Sequence, residues 1–236
     1  MALIPVTAAA GEPVSLAEQK AHMHVTSSAE DSLISGKIKA AREIVEELSN
    51  RQLITATWKL TLPRFVRHLD SRHGHGHHGE QWIRGPQGQR GYPLTGNNSH
   101  WGTTPEGQTV LYLPRAPLQG VASITYMDTT GTRVTLDSSV YDVCLGSVRT
   151  PGLIAIAYGQ LWPDIQSERE GCIEVTYVAG YGTADAVPQA AKEAIMMLAA
   201  EMCERREMAI TGMTIEEVPV NVQWLLENSL TVPEVA

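Results

Sequence analysis

The sequence predicts an α+β protein: a helical bundle drawn from both chain ends, with an antiparallel β-sheet and a long His/Gly-rich loop inserted between them. Three observations predict it. Apolar residues recur at helical spacing before residue 50 and again after Pro188. Strict apolar/polar alternation begins near Ile54, and from 108 to 179 short β-rich runs are separated by Gly and Pro. The expected division is an N-terminal helical part over 1–52, an inserted β-rich part over 53–186 with a mobile arm at 68–107, and a C-terminal helical part with its tail over 187–236. These form one continuous domain with an insertion.

Each element has its own signal. Ser15-Leu16-Ala17-Glu18 matches the S-x-x-E capping box, in which the hydroxyl and the carboxylate satisfy orphan amides, so a short helix is expected over about 15–24. Ser27-Ser28-Ala29-Glu30-Asp31 offers a second start. Ile34, Ile38, Ala41, Val45 and Leu48 then form one apolar stripe on a helix ending near Asn50. Gly36 inside that helix costs ~1 kcal/mol relative to Ala, which points to close packing there. Ile54, Ala56, Trp58, Leu60 and Leu62 alternate with Thr55, Thr57, Lys59 and Thr61, as on a strand with one apolar face.

Strands follow near 109–113, 120–127, 132–136, 140–145, 153–158 and 172–179. Asp128-Thr129-Thr130-Gly131 reads as a hairpin turn, with Gly131 free to take a left-handed conformation. Helical period returns at Pro188, which has no amide hydrogen to leave unpaired in a first turn. Ala191, Ile195, Leu198 and Met202 form its stripe, and Gly212 is a stop signal beyond it. Pro219 opens a last short helix carrying Val222, Leu225 and Leu226.

Composition excludes several classes. Hydrophobic residues at 43% and charged residues at 19% are those of a folded chain. No stretch approaches the ~18–20 apolar residues of a membrane helix, so no membrane partner is expected. The opening MALIPVTAAAGEPV lacks the basic residues of a secretory signal. Cys144, Cys172 and Cys203 are odd in number and far apart, which argues against a disulfide framework or a metal knuckle and for a reducing compartment. The net charge is −8, and it is concentrated after residue 107. No basic block exists to grip phosphates.

Residues 68–107 hold six of the eight histidines and nine of the twenty glycines. Such a stretch buries little apolar surface against its ordering cost, hence the expectation of an arm. Within it His73, His75, His77 and His78 are the candidate metal ligands, since an extended segment would put the first three on one face. Glycine between the ligands gives no rigidity, and no scaffolded carboxylate orients them. No metal or other cofactor is therefore expected. Hydrolase signatures are missing too: no G-x-S-x-G, no H-E-x-x-H, and Gly180-Tyr181-Gly182 lacks the lysine of a P-loop. The chain is not expected to be an enzyme. Trp58, Trp162 and Tyr177 read as core or sheet-face aromatics, and Cys203 as a small core residue. Trp224 stands apart on a terminal helix, where an aromatic side chain can anchor an interface.

Taken in order, several segments resemble the head–tail connector (neck adaptor) proteins of long-tailed bacteriophages and related prophage or gene-transfer particles. They are Glu12-Pro-Val-Ser-Leu-Ala-Glu-Gln-Lys20, Glu30-Asp31-Ser-Leu-Ile34, Ala40-Ala-Arg42-Glu-Ile-Val-Glu46 and Ala56-Thr-Trp58-Lys-Leu60. Leu113-Pro-Arg-Ala-Pro117-Leu-Gln-Gly-Val-Ala-Ser-Ile-Thr-Tyr126 and Val175-Thr-Tyr177-Val-Ala-Gly180-Tyr-Gly182 continue the series. It ends with Val187-Pro-Gln-Ala-Ala-Lys-Glu-Ala-Ile195, Glu204-Arg-Arg-Glu207 and Val218-Pro-Val-Asn-Val-Gln-Trp224-Leu225-Leu226. The set covers about three quarters of the chain. Two features depart from the family: the length and His/Gly richness of the arm, and Leu226-Glu-Asn-Ser-Leu230 where Pro-Tyr-Arg often follows the double leucine.

The resemblance implies a structural virion protein in the neck, made in the host cytoplasm. It implies a homo-oligomeric ring of about a dozen copies beneath the portal, extending the DNA channel and joining head to tail. The implied partners are the chain itself, the portal protein and the next neck, stopper or tail-completion protein. DNA would pass through the lumen without sequence-specific binding. Trp224, Leu225 and Leu226 are the residues implied in portal docking. The competing reading is a binding module that uses the sheet and the His-rich arm to hold a ligand or partner; a metal-dependent enzyme ranks third.

Overall fold

The computed structural model describes residues 2–65, 81–82, 93–94, 101–103, 109–147, 150–166, 171–204 and 220–229. The chain contains helices and antiparallel sheets, an α+β protein, and it divides into two units that each close around their own core.

The helical unit takes its described residues from 9–55 and 181–229. Its elements are α1 (Leu16–His22), α2 (Asp31–Ser49), α3 (Gln189–Glu204) and α4 (Val220–Ser229). The capping box forms as its spacing predicts: Glu18 N donates to Ser15 Oγ at 3.2 Å, and Ser15 N donates to Glu18 Oε2 at 2.7 Å. α2 begins at Asp31 without a side-chain cap and stops at Asn50, whose φ of 49° is left-handed. The stripe Ile34, Ile38, Ala41 and Val45 is buried against Ala191, Ala194, Ile195, Leu198 and Ala199 of α3, with Val222 and Leu226 of α4 in the same cluster. Gly36 departs from expectation. It is exposed, and a Cβ added there would meet nothing within 4 Å among the described residues.

One polar network lies within this unit. Buried Arg42 donates Nε to Glu12 Oε2 at 2.7 Å and Nη1 to Glu46 Oε2 at 2.6 Å. The other Glu46 oxygen accepts from Gln52 Nε2 at 2.8 Å and from Leu53 N at 3.0 Å. Burial alone would pull the arginine pKa down, but Glu12 and Glu46 outweigh it and hold the value above the ordinary one. The network ties the residues ahead of α1 and the turn after α2 to the α2 surface.

The β unit takes its described residues from 2–8 and 56–180. A five-stranded antiparallel sheet runs β1 (Ala2–Thr7), β2 (Ala56–Leu62), β11 (Ile173–Ala179), β7 (Leu118–Met127) and β8 (Arg133–Thr135). A four-stranded sheet runs β5 (Trp101–Thr103), β6 (Thr109–Tyr112), β10 (Leu153–Ile156) and β9 (Tyr141–Cys144). β3 (Gln81–Trp82) and β4 (Pro93–Leu94) pair with each other. The register Leu60↔Val175↔Ile124 puts three apolar side chains on one face of the larger sheet. They meet Trp101, Leu111 and Ile154 of the smaller sheet in one buried cluster.

The β7–β8 turn is as the sequence predicts, with Gly131 at φ 83° and Gly131 N donating to Asp128 O at 3.0 Å. Two features were not expected. β1 forms from the opening residues, whose proline and alanines gave no alternation to read. The reading of 68–107 as one arm also fails at its far end, because Trp101 pairs with Leu111 and is fully buried. Phe65 and Trp162 stack at 4.7 Å, and Trp101 meets Trp162 edge-on at 5.9 Å, so aromatic burial outweighs the ordering cost there. His73, His75, His77 and His78 lie outside the described residues.

Candidate docking surfaces

α4 separates its residues by face. Val222 and Leu226, four apart, enter the helical core, while Trp224 stands 63% exposed and Leu225 is half-buried. Asn221 steadies the first turn: its Oδ1 accepts from Val222 N at 2.9 Å, and its Nδ2 lies 3.6 Å from Met197 Sδ on α3. The structure therefore splits the trio implied in docking. Trp224 presents its ring outward, Leu225 lies at the boundary, and Leu226 is part of the intramolecular core, where i to i+4 spacing places it beside Val222.

A second constellation occupies the Leu113–Gln119 corner of the β unit. Buried Tyr177 donates its hydroxyl to Pro114 O at 3.1 Å. Arg115 sits at φ 63°, an uncommon conformation for a residue with a Cβ, and its guanidinium lies 5.3 Å from the Trp58 ring centroid. Ala116–Pro117 is cis. Gly180 N donates to Pro117 O at 2.9 Å, and Gln119 Nε2 donates to Gly180 O at 2.8 Å. Burial pushes the Tyr177 phenol well above its ordinary range, and the nearby Arg115 charge offsets only part of that. A phenol held neutral and donating to a carbonyl fixes a corner; it supplies no acid or base.

No group of three or more His, Cys, Asp or Glu suited to a metal ion occurs among the described residues. No helix among them is long and apolar enough to cross a membrane. Cys144 is exposed, Cys172 is buried with its thiol donating to Gln166 O at 2.9 Å, and Cys203 packs at the edge of the helical core. Sequence reasoning missed the exposed apolar side chains Ile4, Val6, Leu145, Tyr158 and Leu161. Tyr158-Gly159 was the available signal, because a glycine after an aromatic residue can mark a turn that presents a ring.

Neither a family model nor a curated protein matches the sequence. Solved structures do match. A chain of a structure described as the virion of a native gene transfer agent (GTA) particle is 21% identical, with 100% of this chain and 98% of that chain covered and a TM-score of 0.66. The fold is shared end to end. A chain from the neck of the empty GTA particle, computed with C6 symmetry, has the same identity, coverage and TM-score. One from the neck of the native particle, computed with C12 symmetry, gives 0.64. The likeness takes in both units, since no large part of either chain is left over.

Proposed function

We propose that this chain is a structural neck protein of a phage-like or gene-transfer particle, a head–tail connector that forms a ring beneath the portal and lengthens the DNA channel. One observation carries the reading: the whole chain, rather than one module of it, shares its fold with chains from GTA particle necks. Charge supports it as well. A chain of net charge −8 without a basic block lets DNA slide past instead of holding it. About a dozen copies would close the ring. Trp224, with Leu225 beside it, is the portal-docking anchor of this reading, and Leu226 supports them from the core. On the tail side the ring would meet the next neck protein.

The test is negative-stain imaging of the purified chain, alone and mixed with a candidate portal protein at ~10 μM, where micromolar contacts fill. Rings coaxial with the portal are expected. Single particles that never join it would sink the reading and bring forward a partner-binding module built on the β unit.

A further inference from the structure

Resting on the neck reading, we infer that the ring contact is made by two opposite flanks of the β unit, with the β9 flank of one copy meeting the β1 flank of the next. The side chains that mark each flank are exposed and apolar. On the β9 flank Tyr158 is fully exposed, Leu161 is 87% exposed, and Val143 and Leu145 line the strand. On the β1 flank Ile4 is 46% and Val6 52% exposed.

Chain connectivity places the flanks. Residues 136–140 alone, including a 3-10 turn at Ser138–Val140, lead from β8 to β9. The β8 edge of the larger sheet and the β9 edge of the smaller one therefore share a side of the unit. β1 is the other edge of the larger sheet, so it lies on the far side. Two different surfaces on opposite sides are what a head-to-tail ring requires; a two-fold dimer would use one surface twice.

Presentation on the β9 flank is rigid. Gln160 N donates to Ala157 O at 3.0 Å, closing a turn with Gly159 at φ 75° that holds Tyr158 outward. Ala157 N is bonded to Val140 O at 3.0 Å on one side, and on the other Trp162 is buried in the aromatic stack. An aromatic ring displayed at no ordering cost is an interface anchor. Among the described residues no strand pairs with the outer edge of β9. Ala157 N to Val140 O fixes the hydrogen-bonding phase of the ladder, so the main-chain groups of Tyr141 and Val143 point away from β10.

The β9 flank carries exposed Asp137 and Asp142. Lys59, opposite Ile4 in the β1–β2 ladder, and Arg133 on β8 both turn along the sheet face to Glu174, at 3.4 and 3.3 Å. Pro5 lacks an amide hydrogen and the ladder shifts between Pro5 and Thr7, so the contact is made through side chains and not a continued sheet.

Mixed cross-linking of the full chain tests this. In a Cys144→Ser background, Ile4→Cys and Leu161→Cys chains carrying different tags are combined, with the portal protein present if the ring needs it as a template, and treated with a short bis-maleimide. The expected result is a covalent heterodimer from the mixture and none from either chain alone. Leu161→Asp and Ile4→Asp should each weaken ring formation roughly tenfold or more while leaving the circular dichroism spectrum unchanged. Rings that persist in both Asp variants, or cross-links between identical chains, would overturn this contact and leave the neck reading standing. If the unmodified chain neither forms rings nor joins the portal, the neck reading falls and takes the contact with it.

Discussion

Two glycines show how local surroundings set the sign of one substitution. Gly152 lies against Leu118, so an added Cβ would sit 2.4 Å from the Leu118 Cβ, an atom too close to the backbone to swing aside. Gly152→Ala should cost about 1–3 kcal/mol and lower Tm by several degrees. Gly36 has open space around it and ordinary helical φ, so Gly36→Ala should stabilise by up to ~1 kcal/mol. Matching melting curves for the two variants would refute the packing account. Acid sensitivity is also set residue by residue. Thr130 and Thr132 donors hold the Asp128 carboxyl below its usual pKa, the Ser139 amide does so for Asp137, and Ser15 does so for Glu18. A carboxylate whose folded pKa is depressed contributes stability above its unfolded value near 4, and that stability is lost as pH falls through the folded value. Stability should therefore decline below about pH 4, and Asp128→Asn should flatten that decline in melts taken from pH 7 to 3. An unchanged acid limb would remove Asp128 from the account.

At the scale of elements, α4 makes the sharpest claim, because its two faces answer different assays. Leu226→Ala empties a core position and should cost about 2–5 kcal/mol. Trp224→Ala removes an exposed ring, should lower Tm less than Leu226→Ala does, and should abolish co-assembly with the portal. Normal portal joining by Trp224→Ala would end its role as the docking anchor. The sequence disclosed α4 as a helix carrying Val222, Leu225 and Leu226. It could not say that Leu226 turns inward, since that depends on where α3 lies. Most other elements were legible for physical reasons: a capping box needs only four residues, and strand alternation in 56–62 needs only seven. β1 was not, because Pro5 and the alanines around it carry no period, and the strand is held by β2 from 50 residues away. Trp101 was hidden by the glycines and histidines beside it, an averaging error that one aromatic residue at a strand end can reverse.

The molecule as a whole is an argument about where the chain crosses between units. Tyr181 N donates to Leu53 O at 3.1 Å and Thr55 N to Gly182 O at 3.2 Å, so the strand leaving the helical unit and the strand returning to it lie side by side. Adjacent crossings are what allow one folded unit to be inserted in another without stretching it. Closing the helical unit requires bringing together residues separated by more than a hundred positions, yet the entropic cost of that closure rises only with the logarithm of the loop length. Excision follows from this geometry. Deleting 1–8 and replacing 57–179 by a two-residue Asn-Gly turn should leave the helical unit folded, with helical circular dichroism and a cooperative melt. The core of Ile34, Ile38, Val45, Ile195 and Leu198 is complete without the β unit. Such a fragment should still join the portal through Trp224 while failing to form rings, because the flanks proposed to meet between copies have been removed. A fragment that folds and still closes into rings would move the copy-to-copy contact to the helices, and one that melts without cooperativity would show that the helical core depends on the inserted unit.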